Sequence, residues 1–414
     1  MSTARDEAAP PEVAPLESGH AEAAARAAAG AGHAGAAHAG AAHAGSTRAP
    51  APPRLVEPSG LVHTGWFDAP VLDPNLEQAP AAHALSGLRD TPLAWLERGA
   101  RAWRMKRWHY TSVVTDNVLF ACAVVDVGYL GNAFAYVVDR KTGKKHEYST
   151  LTPTAAGVTI AKSSIDGASR IRWPGFGRIE LGYDARDKER TIEVALDGTR
   201  GPFARPSLSA SYRIRDAGTL PAPIVVVEET EPGRWLYTHK CYGLEAKGAV
   251  RAGDIVDDGS SGSGLAGLDW NKGFRPRETH WNWAAASGRS RTGAVVGFNL
   301  TAHRKPGERV NHAGDDATDC ALWVDGRVRK LERVQFEYDR ARLLEPWRIY
   351  DEDGKVELRF HPAGERAEDV NLAVVVSRFH QPYGRFEGTL EDANGTLHVL
   401  DNVYGVVEQH FARW

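Results

Sequence analysis

The sequence predicts an all-β protein: two antiparallel β-barrel- or sandwich-like domains in tandem, preceded by a disordered tail and one short helix. Three observations carry this. From about residue 104 onward, apolar, β-branched and aromatic runs alternate with short Gly, Asn and Asp turns. So much antiparallel strand, roughly 300 residues, exceeds one small barrel. The two halves also echo each other: "RWHYTSVV" precedes an apolar strand and then "AYVVDRKTGKK", as "HWNWAAAS" precedes "AVVGFNL" and then "ALWVDGRVRK".

The expected order begins with residues 1–54, rich in Ala, Gly, Pro and His. They have too few large apolar side chains to offset their ordering entropy, so a tail is expected. Within it "HAGAAHAGAAHAG" sets His33, His38 and His43 in register; it reads as low complexity, with metal binding the sharper alternative. The helix is expected in "DTPLAWLERGARAWRMKRW", with Asp90 as cap, Pro92 in the first turn, and Leu93, Leu96 and Trp103 near helical spacing. Strands follow. Tight hairpins are expected at Lys141-Thr142-Gly143, Asp325-Gly326, Asp353-Gly354 and Asn394-Gly395, because Gly and Asn accept positive φ at little cost. The first domain is expected over 55–237 and the second over 238–414, joined near residues 230–245.

Composition narrows the function. With 42% hydrophobic residues, 25% charged residues and a formal net charge of −3, the chain has no basic field for nucleic acid and no polybasic surface for anionic lipid. Cys122, Cys241 and Cys320 are scattered and lack a CxxC spacing, so neither a disulfide framework nor a zinc knuckle is expected. The start, "MSTARDEAAPPEVAPLE", is acidic where a signal peptide is basic, and no apolar run approaches a membrane span. A cytoplasmic protein without an integral membrane segment is expected, its protein partners unspecified.

Several motifs fail. "GSGLAG" at 262–267 matches a dinucleotide-binding pattern in letters, but no strand precedes it and no helical periodicity follows. It reads as a flexible loop. No H-x-H, H-E-x-x-H or G-x-S-x-G spacing occurs, so no metal, no cofactor and no serine hydrolase is expected.

The densest chemistry is "LDWNKGFRPRETHWNWAAASG". If Thr279 to Ala284 is a strand, Trp281 and Trp283 share one face while His280 and Asn282 share the other. One pair must face a barrel interior. Two further aromatic clusters are Trp108, His109 and Tyr110, and His380, Gln381 and Tyr383.

Together, "GWFDAPVLDPN", "KRWHYTSVVTDN", "VDRKTG", "DWNKGFRPRETHWNWAAASG" with "GFNL", and the closing "RFHQPYGRFEGTLEDANG" and "VYGVVEQHFARW" resemble the bacterial domain-of-unknown-function 2804 family, in order, over about residues 60–414. That family is similar to the calycin superfamily of paired lipocalin-like barrels, which includes hydroxyneurosporene synthase-like hydratases and tocopherol cyclase-like proteins. The resemblance implies two lipocalin-like domains and a hydrophobic small-molecule ligand: a lipid, an isoprenoid or a polyketide-like compound. Hydratase- or cyclase-type chemistry would need a carboxylic acid of raised pKa and a base in an apolar cavity. The candidate catalytic residues are His239, Lys240, Asp269, Glu278 and His280. The candidate ligand-binding residues are Trp281, Asn282, Trp283, Trp108, Tyr110, His380 and Tyr383. The alternative is a non-enzymatic lipocalin-like carrier or a protein-interaction scaffold.

Overall fold

The computed structural model describes residues 48–414 apart from 81–84, 90, 202–203, 216–220, 261, 263, 305–318 and 372–374. The histidine repeat and Asp90 therefore lie outside the described residues. The structure is built from two curled antiparallel sheets in tandem, with one α-helix among the described residues.

The first sheet begins as a meander, Lys106–Val114, Val118–Asp126, Leu130–Asp139 and Lys145–Pro153. Its other arm runs Leu208–Arg215, Glu189–Leu196, Gly177–Asp184, Gly167–Trp173 and Val158–Thr159. Two later strands, Gly264–Gly273 and Arg234–Ala252, join the arms. The edge strands Lys145–Pro153 and Val158–Thr159 are neighbours in sequence, and Val118–Asp126 touches both Val158–Thr159 and Gly167–Trp173. The sheet thus curls around one core, in which Phe120 stacks on Tyr212 and Tyr237 meets Trp270 edge-on. The second sheet repeats the design with Glu278–Arg289, Val295–Arg304, Ala321–Val324 and Arg327–Lys330 on one arm. Leu397–Arg413, Val376–Glu391, Val356–Asn371, Trp347–Tyr350 and Gln335–Glu337 form the other. Its core contains Phe298, Phe336, Trp347, Phe360 and Phe386.

A third apolar layer, including Tyr110, Tyr136, Tyr242, Trp283, Trp323, Tyr383 and Tyr404, lies between the sheets. The layer is also hydrogen-bonded across: Tyr136 OH donates to Gln381 Oε1 at 2.8 Å, and Trp323 Nε1 to the Ala222 carbonyl at 2.6 Å. Gly243 follows Tyr242 of this layer. There the pairing of Arg234–Ala252 with Gly264–Gly273 shifts by one residue, and Gly243 has φ 80°. A Cβ on Gly297 would lie 2.6 Å from Tyr242 Cβ, so only a glycine lets the second sheet approach this bulge.

The structure alters several sequence expectations. The expected junction at 230–245 spans a hairpin of the first sheet, from the end of Ile224–Glu231 into Arg234–Ala252, and the chain changes sheet between Gly273 and Glu278. Residues 48–54, expected in the tail, are tied down: Ala49 bonds Trp66 and Asp68 through the backbone, and Arg54 bridges to Asp73. Part of the expected loop "DDGSSGSGLAG" is strand, because Gly264–Gly273 pairs on both sides and Gly267 leaves room for the Tyr242 ring.

The helix, Ala94–Arg104, has its polarity reversed. Leu93, Trp95 and Trp103 are 46%, 60% and 56% exposed, while Glu97 and Arg101 are buried as an i,i+4 ion pair. Arg101 also donates to the carbonyls of Glu77 (2.7 Å) and Ala79 (3.3 Å), which ties the helix to the preceding loop. Removing one partner of a buried pair strands the other charge. Glu97→Ala should therefore lower stability by about 3 kcal/mol, against about 0.5 kcal/mol or less for Trp95→Ala, read by chemical denaturation.

Candidate functional site

Strand alternation assembles the site. Lys240 pairs opposite Asp269, and Asp269 opposite Tyr110, so these side chains share the face directed at the second sheet. Lys240 Nζ lies 3.2 Å from Asp269 Oδ2 and 2.9 Å from Asp319 Oδ2. Asp319 lies two residues before the second-sheet strand Ala321–Val324, so one ammonium joins the two sheets. Asp269 Oδ1 also accepts from Trp108 Nε1 at 3.3 Å and from Asn271 Nδ2, and Asn271 Oδ1 accepts from Thr238 at 2.6 Å. On the other side Trp283 Nε1 donates to Asn299 Oδ1 at 2.7 Å, and Asn299 Nδ2 donates to the Asp319 carbonyl at 2.8 Å.

The electrostatics separate the two acids. Burial pushes the Asp269 carboxyl above its usual range; Lys240 opposes this, while Asp319 adds to it. Burial acts the same way on Asp319, but the attraction of Lys240 and its hydrogen bond outweigh it and hold that carboxyl below the usual range. Two carboxylates likewise outweigh burial at Lys240, whose ammonium is held above its ordinary value. Close by, burial and Arg275 push His303 down to about 4. The Arg275 guanidinium lies 4.5 Å from the Trp108 ring centre and 5.4 Å from that of Trp281. Trp108, Trp281 and His303 are only partly buried, so they form a rim to the enclosed ions.

The candidate residues named from sequence divide among several places. Lys240, Asp269, Trp108, Tyr110 and Trp283 come together, with Tyr110 edge-on to Trp283 at 5.3 Å. His239 does not join them. As the neighbour of Lys240 on an extended strand it points the opposite way, into the first core, where Nδ1 lies 2.7 Å from Ser164 Oγ. His109 does the same beside Ser169 at 3.1 Å.

The indoles of Trp281 and Trp283 do share a face, and it is the one between the sheets. Trp281 Nε1 donates to Glu408 at 2.6 Å and meets the His410 ring at 4.1 Å. Asn282 turns to the other side and donates to Tyr338 OH at 2.9 Å, beside the Tyr338–Trp347 stack. His280 packs on Phe411 at 4.4 Å, and Glu278, partly exposed, pairs with Arg413 at 2.8 Å. Both lie near the start of the strand Glu278–Arg289. Tyr383 stacks on Tyr136 in the intersheet layer, 6.3 Å away, whereas His380 is only partly buried and pairs with Glu365.

A family model for a domain of unknown function, DUF2804, matches residues 47–414. The chain belongs to the DUF2804 family. No curated protein matches it. Solved structures similar to this DUF2804 protein include an AttH-like protein from Nitrosomonas europaea, at 12% identity and a TM-score of 0.41, covering 74% of this chain and 92% of that one. Another is kievitone hydratase from Nectria haematococca, at 11% identity and a TM-score of 0.42, covering 73% and 88%. No helix among the described residues is long and apolar enough to cross a membrane.

Nothing in the sequence signals Asp319, His303, Glu408 or Arg275 as members of the site. Asp319 follows a stretch without periodicity, and Glu408 reads as an ordinary polar position on a terminal strand. Only the pairing of distant strands brings them to Lys240 and Trp281. Two outcomes follow. Lys240→Met leaves two buried carboxyls without a counter-charge and should lower stability by about 3–5 kcal/mol, with most of the loss recovered when Asp269→Asn and Asp319→Asn are added. Acid sensitivity should come from histidine. Burial holds His303 at about 4 and His109 at about 3, with His239 also well below normal. Below about pH 6.5 the unfolded chain takes up protons that the folded chain refuses, so stability should fall as pH drops from about 6.5 toward 4. Denaturation midpoints across that range check this, and His239→Gln should flatten the slope.

Proposed function

We propose that the protein binds a hydrophobic small molecule at the seam between its sheets and adds water to, or isomerises, a carbon–carbon double bond in it. The observation that carries this reading is the pair of buried carboxyls shifted in opposite directions across Lys240, beside partly buried aromatic rings. Acid and base roles are set when neighbouring titratable groups are pushed apart in this way. In this reading the two carboxyls share one proton beside the single ammonium, and it rests on Asp269, the carboxyl that burial pushes upward.

In this reading Asp269 gives its proton to one alkene carbon, and the cationic centre left on the other is stabilised by the faces of Trp108 and Trp281. Water attacks that centre and loses a proton to Asp319, completing H and OH addition. Loss of a proton from carbon instead gives an isomer. His303, neutral at pH 7 with its value near 4, orients the water. Lys240 holds both carboxyls in place and stays protonated throughout.

The test pairs capture with turnover. Purified protein is incubated with an isoprenoid and lipid extract, and the retained material is weighed by mass spectrometry against the input. Retained compounds heavier by one water, or isomerised, are expected, and Asp269→Asn should retain the same compounds unchanged. Retention without conversion by the parent protein would instead indicate a carrier, and no retention of any apolar compound would remove both readings.

A further inference from the structure

A cleft lies elsewhere on the seam, and none of the Lys240 cluster lines it. With a volume of about 420 Å³, it opens between the hairpin turn after Leu130–Asp139 in the first sheet and the strands Val356–Asn371, Val376–Glu391 and Leu397–Arg413 in the second. Its lining includes Arg140, Lys141, His361, Arg385 and Tyr404, against one carboxylate, Asp116. His361 is held by Glu387 at 2.7 Å, which leaves three permanent cations facing one acid.

Two polar atoms among the residues lining the cleft lack a partner. Arg140 lies over the Tyr404 ring, 4.9 Å from its centre, and gives one guanidinium nitrogen to the Thr115 carbonyl. Its Nε is buried and has no hydrogen-bond partner. The Tyr404 side chain, 5% exposed, also carries a buried hydroxyl with no partner. Buried donors of this kind cost free energy unless something accepts from them. Burial draws the Arg140 value down and pushes Tyr404 up to about 12, so both groups remain donors at neutral pH. Arg385 and Lys141, both exposed, reach the mouth from opposite sheets.

We infer that this cleft binds the phosphate of a small phosphate ester, with Arg140 and Tyr404 donating from the floor and Arg385 and Lys141 closing on it from the two sheets. A guanidinium fork matches phosphate oxygens in pairs, and two flanking cations balance a doubly charged group. The volume exceeds that of the phosphate alone and accommodates a short organic substituent. The same chemistry is offered by a soluble phosphate ester and by a phospholipid headgroup.

The test uses the full chain at low salt. Pyrophosphate and glycerol phosphate are titrated by calorimetry, and sedimentation is measured with vesicles of phosphatidylglycerol. Binding to the soluble phosphates is expected, weakened about tenfold by Tyr404→Phe and by Arg385→Gln, since one charge-assisted bond is worth about 1.4 kcal/mol or more. Vesicle binding with the same dependence on both variants, and no soluble binding, assigns the phosphate to a headgroup. The inference is overturned by binding to neither probe, or by binding that both folded variants retain in full. Tyr404→Phe keeps the ring that packs the layer, so a thermal melt like the parent's separates loss of the donor from loss of the fold.

Discussion

The seam of this protein depends on keeping one ammonium ionised away from water. Lys240 is nearly inaccessible, and an unpaired buried ammonium would lose its proton or unfold its surroundings. The structure meets this with one carboxyl group from each side of the seam, 3.2 and 2.9 Å away, and then satisfies the remaining acceptor on Asp269 with Trp108 and Asn271. The consequence is geometric. The two sheets must meet in a register that brings Asp319 to Lys240, and an apolar contact alone would not specify that register as tightly.

The rest of the layer follows the same rule. Trp281, Glu408, Gln381 and Tyr136 form a chain of hydrogen bonds that passes from the second sheet to the first, at 2.6, 3.1 and 2.8 Å. Each is a polar tip on an apolar or half-apolar body, so the side chains bury area and fix direction together. Between them Tyr110, Trp283, Tyr242 and Trp323 supply the bulk of the packing. This answers why "ETHWNWAAASG" carries so many large polar aromatic groups. Its indoles are neither in the second core nor in water; they lie against another sheet.

Much of the architecture was legible because it is written locally. Asp325-Gly326 has positive φ at both residues, 45° and 79°, as a tight hairpin requires, and the alternation of Trp281 and Trp283 is a property of any strand. What could not be read was which face meets what. Lysine is seldom buried, and what holds Lys240 inside, Asp319, lies 79 positions further along the chain. His239 and Lys240 seemed one site because they are adjacent, yet adjacency on a strand guarantees opposite faces. The helix misled for a related reason. Apolar spacing identified it, but the buried side holds Glu97 and Arg101, whose partners are in the loop before it.

The bulge at Gly243 sets which chemistry goes to which compartment. Before it, the odd-numbered residues Trp235, Tyr237 and Cys241 enter the first core; after it, the even-numbered residues Leu244, Ala246, Val250 and Ala252 do. The strand therefore carries a parity, and this one glycine inverts it. Descendants of this sequence can gain or lose residues in the hairpin turns with little effect, but a one-residue deletion at Gly243 would force the segments on either side into a common phase. Either Lys240 would enter an oily interior or Leu244 would leave one. Insertions and deletions at this bulge would thus be filtered by phase, much as in a reading frame, because this strand walls both compartments.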